Sequence, residues 1–212
     1  EEPDNPVARH MLAACTGQNV PARAADDYVR SLFDASAKSF DADLGRLGYR
    51  APELVAGASA RAIGGRAVPA ILDAGCGTGL CGPLVRASCE KLVGVDLSQK
   101  MLEHAAARAC YDELVAAELQ AFMRSRREAF DAIISADTLV YFGRLEEPFA
   151  AARDALRPGG VLAFTLESLP GGVGEGYHLE AHGRYSHSEP YIRGALKSAA
   201  FEVEGITRET LR

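Results

Sequence analysis

Between Ala70 and Ser168 the chain alternates two hydrophobic patterns. Short solid apolar blocks, "AILDAG", "KLVGVD", "ELVAAEL", "FDAIISAD" and "VLAFTLES", read as strands buried on both faces. Between them lie stretches with helical spacing: "GPLVRASC", "SQKMLEHAAARA" and "LEEPFAAARDAL". Ser98 is placed to cap the second of these, and Pro83 sits in the first turn of the first. "RPGG" (Arg157–Gly160) has the residues of a type II turn. Strand–helix alternation with continuous apolar strands predicts an α/β fold. Its centre is a doubly wound, mostly parallel sheet, with ligands at the carboxyl ends of the strands.

The flanks differ. "NPVARHMLAAC" has Val7, His10, Met11 and Ala14 on one helical face. After a break at Gly17, Asn19 and Pro21, a second helical stretch starts near Ala25, with an interruption between Ser36 and Ser39, and stops at Gly48. A third runs from Pro52 to about Ile63. Residues 1–66 are therefore expected to form an N-terminal helical extension and cap. Residues 67–212 are expected to form the core, with a hairpin at about 169–190. In that hairpin "YHLEA" and "RYSHS" flank His182-Gly183, which suits a two-residue turn. The last apolar stretch, "FEVEGITRETL", reads as a strand.

Composition narrows the partners. The chain has 212 residues and a formal net charge of −6, without a Lys/Arg cluster, which argues against a nucleic-acid partner. No apolar run reaches the ~18 residues of a membrane span. The five cysteines form no C-x-x-C pair, so they read as reduced thiols of a cytoplasmic protein. The sequence starts at Glu1 without an initiator Met and reads as part of a longer chain.

The chemistry concentrates in "ILDAGCGTGLCGPLV". Strand, glycine loop and helix is the geometry of a nucleoside or dinucleotide site, where bare backbone lets a ligand approach. A nicotinamide fingerprint, G-x-G-x-x-G counted from Gly75, would need glycine at position 80, which is Leu80. Asp96 closes the second strand, 21 residues after Gly75, where a carboxylate can accept both ribose hydroxyls and would repel a 2′-phosphate. Glu118 ends the third strand, within reach of an exocyclic amine. Asp137 and Tyr141 follow the fourth strand, at the ligand edge of the sheet. In the hairpin, His178, Tyr185 and His187 could face a substrate, with Gly171, Gly172, Gly174 and Gly176 as a hinge. His178, His182 and His187 have no second-shell or cysteine spacing to support a metal, and none is expected.

"LDAGCGTG", "LVGVDLSQKML", "FDAIISAD" and "LRPGGVLAF" resemble, in order and spacing, the motifs of class I S-adenosylmethionine-dependent methyltransferases. The flanks "YVRSLFDASAKSFDADLGRLGYRAPELV" and "GRYSHSEPYIRGALKSAAFEVEGITRETLR" are similar to bacterial methyltransferases predicted to follow tetratricopeptide repeats. The resemblance implies S-adenosylmethionine as cofactor and S-adenosylhomocysteine as product. It implies that Gly75, Cys76, Gly77 and Gly79 line the methionine and ribose, and that Asp96 holds the ribose. Leu97 and Met101 would pack on the adenine, and Glu118 with Leu119 would meet its amino edge. Ala136 and Asp137 would face the methionine end, Tyr28 and Phe33 would cover the cofactor, and Asp73, Leu80 and Ser98 complete the set. Asp137, Tyr141 and His187 are the catalytic candidates. The family's sheet ends with a seventh, antiparallel strand, for which this chain has only one strand-like stretch. The expected activity is methyl transfer to a small molecule. A protein substrate recruited through upstream repeats, or a non-catalytic S-adenosylmethionine-binding module, are the alternatives.

Overall fold

Five parallel strands carry the molecule, and the computed structural model describes residues 5–169 and 176–211. They are β1 (Val68–Ala74), β2 (Cys89–Asp96), β3 (Glu113–Ala116), β4 (Phe130–Ser135) and β5 (Leu156–Phe164), in the order β3-β2-β1-β4-β5. Each pairing is parallel. The strand order reverses between β1 and β4, and in such sheets that reversal opens a crevice beyond the carboxyl ends.

The solid apolar blocks follow from helices on both faces. Ile71, Leu92, Ala132 and Ile134 point to one side, where they meet Val55 and Ile63 and the buried Val85. Val55 lies on α4 (Ala51–Ala62) and Val85 ends the short α5 (Gly82–Val85). Leu72, Val93, Val95 and Ile133 point to the other side, against Phe122, Phe149, Ala152 and Leu196. Those residues lie on α7 (Leu119–Arg124), α8 (Glu146–Ala155) and α9 (Glu189–Ser198). α6 (Gln99–Ala107) is capped by Ser98, whose Oγ accepts from the Met101 N–H at 3.1 Å.

The N-terminal helices are α1 (Pro6–Thr16), α2 (Asp26–Ser36) and α3 (Phe40–Arg46), with the expected break between α2 and α3. The hairpin is β7 (Tyr177–Leu179) against β8 (Tyr185–His187), with β6 (Glu167–Ser168) parallel to β8.

Four expectations need correction. The third strand stops at Ala116, and Glu118 becomes the N-cap of α7, its Oε2 accepting from Ala121 N–H at 2.8 Å. "VLAFTLES" is not one strand: the chain leaves the main sheet after Phe164, and Glu167–Ser168 join the hairpin. The hairpin turn is longer than two residues. Glu180 N–H bonds Arg184 O, Gly183 N–H bonds Glu180 O, and Gly183 has φ +88°. That is a three-residue loop ending in a left-handed glycine. Finally, 201–211 forms no strand. Its Phe201 and Val203 pack on the main core, and Leu211 O accepts from Arg50 N–H at 3.0 Å. The chain is thus spent on side-chain packing rather than on a sheet partner. Gly171, Gly172 and Gly174 lie outside the described residues.

Candidate active site

The glycine loop leaves β1 with its backbone fastened to β2. The N–H groups of Gly75 and Cys76 both reach Val95 O, at 2.9 and 3.0 Å. Gly75 has φ +77°, and a Cβ there would run into the side chain of Thr138, so only glycine fits. Thr138 closes the contact from the β4 side, donating from Oγ1 to Gly75 O at 3.2 Å. Gly77 has φ +53° with open space where a Cβ would stand. The main chain is therefore bare at Gly77, toward a cavity.

That cavity measures about 300 Å³. It runs across the strand ends, from Glu118 past Asp96 and Gly75–Thr78 to Ala136–Thr138. The helical cap supplies its roof, with Val29, Phe33, Phe40, Leu44 and Pro52. Phe33 stands edge-on to Phe40 and to Tyr141, with centroids 5.9 and 5.6 Å apart.

Asp96 sits on its floor. Oδ2 accepts from Gly77 N–H and Oδ1 from Ser98 N–H, each at 2.9 Å. Burial raises its pKa, and the surrounding backbone N–H groups oppose that rise. Each oxygen keeps acceptor capacity for a further donor. Glu118 offers a similar vacancy: Oε2 caps α7, while Oε1 is buried with no hydrogen-bond partner among the described residues. Leu97 and Leu119 flank these carboxylates on the lining. At the far end Asp137 takes φ +54°, a left-handed conformation uncommon outside glycine that Asp tolerates, and its N–H is held by Thr165 Oγ1 at 2.8 Å.

The lining therefore brings together Phe33, Gly75, Cys76, Gly77, Leu80, Asp96, Leu97, Glu118, Leu119, Ala136, Asp137 and Tyr141. It does not include Tyr28, Asp73, Gly79, Ser98, Met101 or His187. Asp73 is 1% exposed beneath the loop, and its Oδ2 accepts from Tyr111 Oη at 2.6 Å. Desolvation pushes its carboxyl up to about 7. Gly79 is needed for packing, since a Cβ would stand 2.9 Å from the Tyr111 ring. Ser98 is fully buried and donates to Asp34 Oδ1 at 2.5 Å. Met101 is a core residue. Tyr28 stacks on His10 with centroids 4.1 Å apart and packs under the hairpin turn, where a Cβ on Gly183 would stand 2.7 Å from its Oη.

The hairpin side chains expected to face a substrate turn away from the cavity. His187 is 1% exposed, and its Nε2 donates to Phe142 O and Gly143 O at 2.9 and 3.1 Å. Burial lowers its pKa to about 4, so the ring is neutral. Tyr185 is fully buried and donates to Pro21 O at 2.7 Å. His178 points to solvent. Two cations that the sequence reading did not single out do reach the cavity: Arg184, from the same hairpin, and Arg23, from the segment before α2. For Arg184, charge inside an otherwise aromatic and histidine-rich stretch was the available signal.

The thiols of Cys76 and Cys81 are pushed well above their usual range by burial, so neither is a ready thiolate nucleophile. What the geometry offers instead is an apolar slot with carboxylates spaced along its floor.

Residues 71–160 match the model of a methyltransferase domain. The chain is 33% identical over 101 residues to malonyl-[acyl-carrier protein] O-methyltransferase of Salmonella typhimurium, covering 48% of this chain and 40% of that protein. It is 35% identical over 139 residues to human methyltransferase-like protein 27, covering 64% of this chain and 56% of that one. The chain thus spans about half the length of the curated relatives it matches. Among solved structures it is similar to an S-adenosylmethionine-dependent methyltransferase from Mesorhizobium loti, with TM-score 0.52 and 25% identity over 64% of this chain and 75% of that one. A Leishmania major methyltransferase shares the fold over 95% of this chain and 75% of its own, with TM-score 0.59 and 16% identity. Residues 71–160 are thus similar to a methyltransferase domain, on a fold shared with S-adenosylmethionine-dependent methyltransferases.

Proposed function

We propose that this chain is a methyltransferase that binds S-adenosylmethionine across the glycine loop and passes its methyl group to a small-molecule acceptor. The observation that carries the reading is the row of features along one floor: the bare backbone at Gly77, the Asp96 carboxylate gripped beside it, and the unpartnered Glu118 Oε1 beyond. That row fits, in order, the amino-acid arm, the ribose hydroxyls and the exocyclic amine of an adenine. Asp96 and Glu118 would accept hydrogen bonds, and Leu97 and Leu119 would pack on the base.

When bound, S-adenosylmethionine supplies a methyl group already activated by its sulfonium. The chain's residues have to align and to exclude water. Positioning alone supplies up to about 7–11 kcal/mol of such a barrier. Phe33, Phe40, Leu44 and Tyr141 form the apolar roof and wall that keep water out. Asp137 stands at the end of the slot away from Glu118. There it would accept a proton if the acceptor atom carries one, a contribution of about 10²–10⁴-fold where it applies. Malonyl-[acyl-carrier protein] O-methyltransferase among the relatives has, by its name, an acyl group carried on a protein as its substrate, which supports an acyl acceptor.

The test is incubation with methyl-labelled S-adenosylmethionine and separated metabolite and protein extracts. Label should appear in the metabolite fraction. Label confined to protein and released with a carried acyl group would assign a carrier-bound acceptor, label that stays on the protein would transfer the assignment to a protein substrate, and no label in either would refute catalysis.

A further inference from the structure

The cofactor reading uses the floor of the cavity and leaves its two arginines without a task. Arg184 follows Gly183 in the hairpin turn, and Arg23 precedes α2. Both line the cavity. The segments that carry them are joined directly. Tyr185 Oη donates to Pro21 O at 2.7 Å, and Ala22 O accepts from Gly143 and Arg144 N–H at 2.9 and 2.8 Å. Arg23 lies over the Phe142 ring, its guanidinium carbon 6.0 Å from the centroid, and the carbonyls of Phe142 and Gly143 hold His187. Cap, hairpin and the loop after β4 therefore form one wall, and it brings both guanidinium groups to the same cavity.

Each guanidinium is steadied from behind by a carboxylate. Arg184 Nη2 meets Glu167 Oε1 at 2.5 Å, and Arg23 Nη1 is paired with Asp26. Glu167 also lies 3.4 Å from His182 Nε2, so its charge is shared. Those contacts fix the planes of the forks without using all their donors. Arg184 Nε is buried and has no hydrogen-bond partner among the described residues. Arg184 lines the cavity with part of its donor capacity unspent, and an acceptor there would meet it. A planar fork with two adjacent donors matches a carboxylate, which it can hold bidentately.

We propose that Arg184, seconded by Arg23, forms a carboxylate-binding subsite at the wall of this cavity. The proposal rests on the methyltransferase reading, which offers two sources of that group: the amino-acid arm of the cofactor, or an acceptor bearing a carboxylate. The chemistry of recognition is the same for both. The apolar side chains nearby, Phe142 and Tyr141, fit the carbon skeleton behind the charge.

Calorimetry on this chain separates the sources. Parent and Arg184→Gln are titrated with S-adenosylhomocysteine and with 5′-methylthioadenosine, which lacks the amino-acid arm. Both are then loaded with S-adenosylhomocysteine and titrated with hexanoate and hexan-1-ol. Methylthioadenosine should bind parent and variant alike. A loss of roughly tenfold or more for S-adenosylhomocysteine alone supports the subsite and assigns it to the cofactor. A like loss confined to hexanoate, with hexan-1-ol unaffected, supports it and assigns it to the acceptor. Arg184→Lys keeps a charge for Glu167 and should show a smaller loss in the same direction, which covers the case in which Arg184→Gln does not fold. Unchanged affinity of the variant for both carboxylates, or no hexanoate binding by the parent while S-adenosylhomocysteine is unaffected, overturns the proposal. Failure of the parent to bind either nucleoside contradicts the cofactor reading instead, and hexanoate titration of the unloaded chain then decides on the subsite.

Discussion

Gly75 and Gly77 are two residues apart and constrained for different reasons. Gly75 has both a left-handed backbone and Thr138 where a side chain would go. Gly77 has the backbone but open space. Gly75→Ala should therefore cost several kcal/mol of stability, roughly the sum of a strained φ and an overpacked contact. Gly77→Ala should cost only about 1 kcal/mol, yet it should weaken nucleoside binding, and Gly77→Val should abolish it while the sheet stays folded. Urea melts and ligand titrations of the variants separate the two effects. Normal binding by Gly77→Val would show that the loop faces elsewhere. Asp73 gives a pH signature. Its folded-state carboxyl keeps its proton to about 7, whereas an unfolded Asp releases it near pH ~4. Stability contributed by the protonated form is therefore lost as pH rises between those values. Asp73→Asn should gain on the parent by up to about 4 kcal/mol between pH ~4 and pH ~8. A stability difference that stays flat across that range would mean Asp73 is ionised in the fold. At this scale the spacing after each strand was legible, because strand ends fix where Asp96, Glu118 and Asp137 must emerge. The hairpin was not. A period-2 pattern does not say which face is buried, and the histidine and tyrosine went inward while Arg184 reached the cavity.

Helices α2 and α3 are held by polar side-chain contacts to the loops as well as by Tyr28, Val29 and Phe33, which join the main core. Ser98 Oγ donates to Asp34 at 2.5 Å and Thr78 Oγ1 to Asp41 at 2.6 Å. Arg108 Nε reaches Thr78 O at 2.6 Å, and its Nη2 meets Asp41 at 2.5 Å. Removing both carboxylates, Asp34→Ala with Asp41→Ala, should loosen the cap without melting the sheet. Amide exchange across 26–46 should quicken, while β1 and β4 stay protected. Exchange that is unchanged in 26–46 would show that apolar contacts hold the cap by themselves. The break between α2 and α3 was legible in the sequence because Ser36–Ser39 interrupts the apolar stripe. Helix α7 was not. Its cap is a glutamate instead of the usual short polar residue, and its first residue, Leu119, also extends an apolar strand pattern. The same ambiguity ran "FEVEGITRETL" as a strand, whereas it pairs with no strand and its Phe201 and Val203 pack on the core.

The whole molecule has one cap built from both ends of the chain. His10 Nε2 meets Gly183 O at 2.8 Å, and Ala13 and Ala14 pack with Leu179 and Tyr185. The parallel sheet and its ligand edge could be read from alternation alone, since handedness and strand order leave few topologies. Contact between α1 and the hairpin could not, because nothing local in either segment specifies the other. Ligand should therefore protect the cap and the hairpin together: with S-adenosylhomocysteine added, amide exchange should slow in 26–46 and in 177–187 alike. Protection confined to the strand ends would deny both a role in closure. The most direct measurement for the central claim is a calorimetric titration of S-adenosylhomocysteine into this chain and into Asp96→Ala, with folding checked by circular dichroism. A single site is expected in the parent. In Asp96→Ala the expected loss is on the order of a hundredfold or more, from two charge-assisted hydrogen bonds of about 1.5–3 kcal/mol each. Equal affinity in a folded Asp96→Ala, or tight binding of NAD by the parent in place of S-adenosylhomocysteine, would contradict the claim.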